Sequence, residues 1–331
     1  MKSPILLQAE GLQKQYVLGA PKLFGKRAVL NAVDGVSLYL REGETLGLVG
    51  ESGSGKSTTG RLILRLLDAT AGQVHLRGQE LLGLAPRQFA PWRRDMQMIF
   101  QDAGASLNPA YNVGQLIEEP MLVNHIGANH ADRRERANDL LQQVGLKPEH
   151  RTRHAHEFSG GQRQRIGIAR ALAVRPGLIV ADEPVSALDV SVQSQILNLM
   201  RDMRERHGLA YLFIAHDLAV VRHMSERIAV MYLGRIVETA SAADLYLRPA
   251  HPYTQMLLAA IPRMGPEAAN ARRLRTARAS AAQELPSPIN SGSGNACAFR
   301  TRCPRRQAIC GSQAPVSREI APGHSVACHL V

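Results

Sequence analysis

GESGSGKS, residues 50 to 57, limits the fold more than any other stretch of this chain. It lies between the apolar run TLGLV, residues 45 to 49, and a segment that reads as a helix from Lys56 through GRLILRLL. Strand, glycine-rich turn and helix in that order fit G-x-x-x-x-G-K-[ST], a unit that belongs to a parallel α/β sheet. Gly50, Gly53 and Gly55 let the backbone curl so that successive amide N–H groups and the helix N-terminus face an anion, with Ser52, Ser54 and Thr58 completing the loop. Lys56 suits the β- and γ-phosphates of a nucleotide, and the Ser57 hydroxyl suits Mg²⁺.

Two further apolar runs end in chemistry. GLIVADEP, residues 177 to 184, delivers Asp182 and Glu183 at a strand end, where a doubly wound sheet gathers its ligand-binding groups. By the two-residue period their side chains leave the strand on opposite sides. That divides the work: Asp182 for the Mg²⁺ shell, Glu183 to orient or deprotonate a water. AYLFIAHD, residues 210 to 217, ends in His216, an imidazole placed to hydrogen-bond a γ-phosphate and hold the attacking water.

EFSGGQRQRIGIARALA, residues 157 to 173, is a second anion site with no obvious place in the first. Ser159 and Gln162 form an S-x-x-Q capping box, and Gly160 and Gly161 leave its N-terminus bare enough to approach a phosphate. Ile166, Ile168, Ala169 and Leu172 make its apolar face, and the helix is expected to stop at Arg175-Pro176-Gly177.

Together these segments resemble the ATP-binding-cassette (ABC) ATPases over about residues 5 to 250. FSGGQ is similar to their signature motif, GESGSGKST to Walker A, LIVADE to Walker B and SALD, Ser186 to Asp189, to the D-loop; Gln101 in MIFQD matches the Q-loop glutamine and His216 the switch histidine. The resemblance implies an α/β class: a RecA-like P-loop core with an antiparallel β subdomain, a helical subdomain at about 102 to 158, and a C-terminal extension, residues 251 to 331. It implies ATP as cofactor, with Glu183, His216 and Gln101 catalytic and Ser57, Gln101 and Asp182 on Mg²⁺. It implies Tyr16 stacked on adenine, and Ser159, Gly160, Gly161, Gln162 and Asp189 completing the site of a second cassette packed head to tail.

Within the family the resemblance narrows to the F-type cassette of dipeptide/oligopeptide importers, on QDAGASLNP, DEPVSALDVSVQSQILNL, LYLRPAHPYTQMLLAAIP, LPSPIN and the cysteine tail. The implied partners are a D-type cassette in a heterodimer, two transmembrane permeases and an extracytoplasmic peptide-binding protein, with this chain on the cytoplasmic face of the inner membrane. Related cassettes serve nickel or glutathione import with nearly the same motifs. Ala103-Gly104 replaces the proline usual after the Q-loop Gln-Asp, and it lies in a loop that contacts the permease.

The net charge of +12 raises nucleic acid as a partner, but ten Arg against three Glu from Arg263 onward concentrate +7 of it in the last 69 residues. Nucleic-acid-directed members of the family usually carry two cassettes or a long coiled coil, and the 57-residue insert has no sustained heptads. No nucleic-acid partner is expected. No run of 18 uncharged apolar residues appears, and MKSPILLQAEGLQK meets charge before a signal-peptide block develops, so the chain is expected to stay in the cytoplasm. In that reducing compartment Cys297, Cys303, Cys310 and Cys328 favour metal over disulfides. Four thiolates suit zinc, although no C-x2-4-C pair is present. Resemblance to the cysteine tails of peptide-importer cassettes implies instead a [4Fe–4S] cluster on all four, with zinc the runner-up.

Overall fold

The computed structural model describes residues 3–18, 28–261 and 295–331. The sequence reads as having an extra loop near VLGAPKLFGK and a polar Pro/Ser/Gly-rich linker that includes LPSPIN and SPINSGSGN; both fall outside these residues, but for their edges.

The strands are β1 (Ile5–Leu18), β2 (Ala28–Arg41), β3 (Thr45–Val49), β4 (Ala71–Leu76), β5 (Gln79–Glu80), β6 (Met96–Ile99), β7 (Leu178–Asp182), β8 (Ala210–Ala215), β9 (Arg227–Tyr232), β10 (Arg235–Ser241), β11 (Arg318–Ala321) and β12 (His324–Val326). The first sheet is antiparallel in the order β2-β1-β4-β5; the second runs β11-β12-β10-β9-β3-β8-β7-β6. In the second sheet β6, β7, β8, β3 and β9 are mutually parallel. From β9 outward the pairing turns antiparallel.

The parallel strands read as unbroken apolar runs because both their faces are covered. Leu178, Val180, Leu212 and Ile214 join Leu46 and Leu48 in the core under the antiparallel sheet. Their neighbours Ile179, Ala181, Tyr211 and Phe213 face the other way, into the core shared with the helical subdomain. Helices Val113–Val123, His130–Gln143 and Gly160–Leu172 pack together to form that subdomain.

One local outcome differs from expectation. The phosphate-loop helix spans Lys56–Ile63 and is therefore shorter than the apolar run suggests, because Arg65 turns into the left-handed region at φ 52°. The C-terminal residues meet the cassette directly: β12 pairs with β10 through Glu238–Val326 and Thr239–Ser325, and Cys297, Phe299 and Cys310 belong to the same apolar core as β8.

Candidate functional site

The loop after β3 wraps around Lys56, and two of its glycines are dictated by space. A Cβ on Gly50, at φ 158°, would lie 2.1 Å from the Met231 carbonyl oxygen; one on Gly55, at φ 103°, would lie 2.2 Å from that of Ala32. Lys56 is almost wholly buried, and its Nζ donates to the carbonyls of Gly50 at 2.8 Å and Glu51 at 2.9 Å. Burial pushes its pKa down, while Glu183, Asp182 and Glu51 act in the opposite direction.

Across the loop the Ser57 hydroxyl donates to Asp182 Oδ1 at 2.7 Å. Burial raises the Asp182 pKa against the pull of that hydrogen bond and of Arg61. The next residue, Glu183, is held at φ 45°, a region L residues rarely adopt, while its N–H donates to the Ile214 carbonyl at 2.9 Å and so extends the ladder with β8. Its Oε2 accepts from Gln101 Nε2 at 3.3 Å and faces His216 Nδ1 at 3.1 Å. An ionised carboxylate only accepts, so this contact calls for the tautomer with its proton on Nδ1. Three residues far apart in sequence thus meet on one carboxylate oxygen.

A cleft of about 470 Å³ opens beside them, lined by Ser52, Gly53, Gly55, Lys56, Ser57, Thr58, Gln101 and Glu183. Tyr16, 37% exposed at the end of β1, forms its far wall, with Lys14 Nζ 5.2 Å from the ring centroid. Sequence reasoning missed Leu30, Asn31, Ala32 and Leu233 on the remaining wall. Leu233 lies in the β9–β10 turn at φ 43°, and no motif marks any of the four.

Ser159, Gly160, Gly161 and Gln162 do not line this cleft. Ser159 caps the helix Gly160–Leu172 as expected: its hydroxyl accepts from Gln162 N–H at 3.4 Å, and its own N–H donates to Gln162 Oε1 at 3.1 Å. Gly161 has a second reason to be glycine, since a Cβ there would stand 2.5 Å from Val192 Cγ1. Asp189 is exposed and leads into helix Val190–His207 without capping it through its side chain.

The expectation of a [4Fe–4S] cluster or zinc on Cys297, Cys303, Cys310 and Cys328 is corrected. Among the described residues no group of three or more His, Cys, Asp or Glu is arranged to hold a metal ion, and all four cysteines are free. Burial raises the pKa of Cys297 and Cys303, and the neighbouring cysteines push further the same way. Cys297 and Cys310 instead pack in the core, linked by Cys297 N–H to the Cys310 carbonyl at 3.0 Å.

The fold recurs in solved structures. The family model for ABC transporters matches residues 33–186. The dimeric cassette MJ0796, in a post-hydrolysis state bound to ADP and Pi, superposes with TM-score 0.64 at 30% identity, covering 72% of this chain and 99% of that one. A fold of this kind built around this site defines an ABC ATPase. A second model, the oligopeptide/dipeptide transporter C-terminal region, matches residues 237–310. Over 326 residues the chain is 47% identical to the oligopeptide transport ATP-binding protein AppF of Bacillus subtilis, covering 98% of this chain and 97% of the relative. It is 51% identical over 323 residues to a Brucella ovis relative named as a peptide import ATP-binding protein, with the same coverage. The chain belongs to the ATP-binding subunits of the oligopeptide/dipeptide transporter family.

Proposed function

We propose that this chain is the ATP-hydrolysing subunit of a membrane importer for dipeptides or oligopeptides. The observation that carries the reading is the meeting of Gln101 and His216 on one oxygen of Glu183, beside the buried Lys56 and the Ser57–Asp182 pair. ATP would lie in the cleft with its adenine against Tyr16 and its phosphates on the N–H groups of residues 53 to 58. Mg²⁺ fits the hard oxygen donors Ser57, Asp182 and Gln101 and would offset the phosphate charge. Glu183 takes up the proton of the attacking water, and His216 holds the γ-phosphate.

The site is completed by another cassette, whose Ser159-equivalent helix end supplies the opposite wall; the separation of Ser159–Gln162 from this chain's own cleft supports that arrangement. We assign the partner as a distinct, D-type cassette, joined to two permeases and served by an extracytoplasmic peptide-binding protein. No helix among the described residues is long and apolar enough to cross a membrane. The chain would act at the cytoplasmic face of the inner membrane, bound to its permeases. A groove lined by Leu66, Phe100, Val123 and Arg170, adjoining Gln101, suits a permease helix. Motion there reaches Glu183 through Gln101.

Glu183→Gln keeps the side-chain shape and removes its basicity. In the assembled transporter it should abolish steady-state ATP hydrolysis and leave ATP binding intact; near-normal turnover would overturn the assignment.

A further inference from the structure

Glu51 follows the first glycine of the phosphate loop, and three contacts from the C-terminal residues converge on it. Arg302 grips its carboxylate with both arms of the guanidinium, Nη1 to Oε2 at 2.7 Å and Nη2 to Oε1 at 2.9 Å. Its backbone N–H donates to the Tyr253 hydroxyl at 2.9 Å. Tyr253 is completely buried and packs its ring against Tyr232 and Phe299, at centroid distances of 4.6 and 5.5 Å. Arg302 lies over Tyr232 and Phe299 at 5.8 and 5.9 Å. A fork–fork pair of this kind fixes orientation as well as charge, and here it is half-buried, where screening is weaker than at an open surface.

The electrostatics give the pair a purpose. Glu51 is the one carboxylate inside a loop built to cradle phosphates, and it interacts with Lys56. Left without Arg302, that carboxylate would repel a bound nucleotide's phosphates and compete with them for the Lys56 ammonium. Resting on the ATPase reading above, we infer that Arg302 is a positioning residue for ATP binding: with Tyr253, the C-terminal segment neutralises Glu51 and holds the phosphate loop open to nucleotide. The segment that carries the cysteines therefore acts on the ATP site across a separation of 251 positions in sequence.

The test uses the full assembled transporter. Arg302→Met should raise the KM for ATP about five- to tenfold and change kcat less than about twofold, since the Glu183 constellation is untouched. Adding Glu51→Gln to that variant should bring KM back to within about twofold of the wild type, because the repelling charge is gone. A merely structural role for Arg302 predicts no such rescue. Where Arg302→Met fails to assemble, Arg302→Gln carries the same comparison. An unchanged KM in the single variant, or a raised KM that Glu51→Gln leaves raised, overturns the inference. A wild-type complex that neither binds nor hydrolyses ATP would instead overturn the ATPase reading.

Discussion

Glu238, a residue no motif marks, organises the junction between cassette and C-terminal segment. It is buried, accepts from Ala250 and His251 N–H at 2.8 and 3.0 Å, and faces His324 Nε2 at 2.8 Å. His251, beside it, accepts from Tyr253 N–H at 3.0 Å through Nδ1, which requires that nitrogen to be unprotonated. Burial drives its pKa from 6.5 down to about 4, with Glu238 opposing. A histidine kept neutral in the fold takes up its proton more readily when unfolded, so between pH 6.5 and about 4 the unfolded chain binds more protons. Stability should fall as pH drops through that window, by on the order of 3 kcal/mol from this group. Denaturant melts at pH 5 and pH 7 measure it. His251→Asn, which keeps a capping acceptor and cannot titrate, should flatten the difference; an equal slope in both proteins would remove His251 as its source.

Under the proposed function, the helix Gly160–Leu172 would have two roles. Its buried face, Ile166, Ile168, Ala169 and Leu172, is committed to this chain's core. Its N-terminal residues do not line this chain's nucleotide cleft, and its capping box is complete. Ser159→Arg should therefore block hydrolysis at the partner's site while sparing ATP binding to this subunit's own loop. Because that change also removes an N-cap, costing about 1 kcal/mol, Ser159→Asp is the cleaner companion. Asp retains the cap and sets a negative charge against the partner's γ-phosphate. ATPase assays beside nucleotide-binding titrations of the complex separate the two effects, and undiminished hydrolysis in both variants would refute the shared site.

At the scale of the whole molecule, sheet pairing and core packing bind the last 37 residues, 295 to 331, to the cassette. β12 completes the hydrogen bonding of β10, and Phe299, 1% exposed, fills the space among Tyr232, Tyr253 and His251. Phe299→Ala should cost about 3–5 kcal/mol through the cavity it leaves. It should also loosen the ring platform under Arg302, so ATP binding weakens along with stability. Thermal melts with and without ATP would show both; a variant as stable as wild type would mean the segment is not part of the shared core.

The sequence alone determined the parallel sheet and the residues at its strand ends, because a glycine loop that can hold phosphate and a buried strand that ends in carboxylates are local properties, written in consecutive letters. Lys56, Ser57, Asp182 and Ser159 were legible for that reason. His216 was legible from its place at the end of a third apolar run, whereas Gln101 became legible only through resemblance to a family pattern, since a lone amide after a strand has many uses. Tertiary structure decided the rest. It bent Glu183 to φ 45° so that Gln101 and His216 share its oxygen, and it supplied Leu30 to Ala32 and Leu233 as walls. It also turned four cysteines that suggested a metal site into free thiols, two of them core residues, and brought Arg302 onto Glu51. These are contacts between segments remote in sequence. Their energies depend on burial and on angle, which only the packed chain defines, and spacing along the polypeptide carries no trace of them.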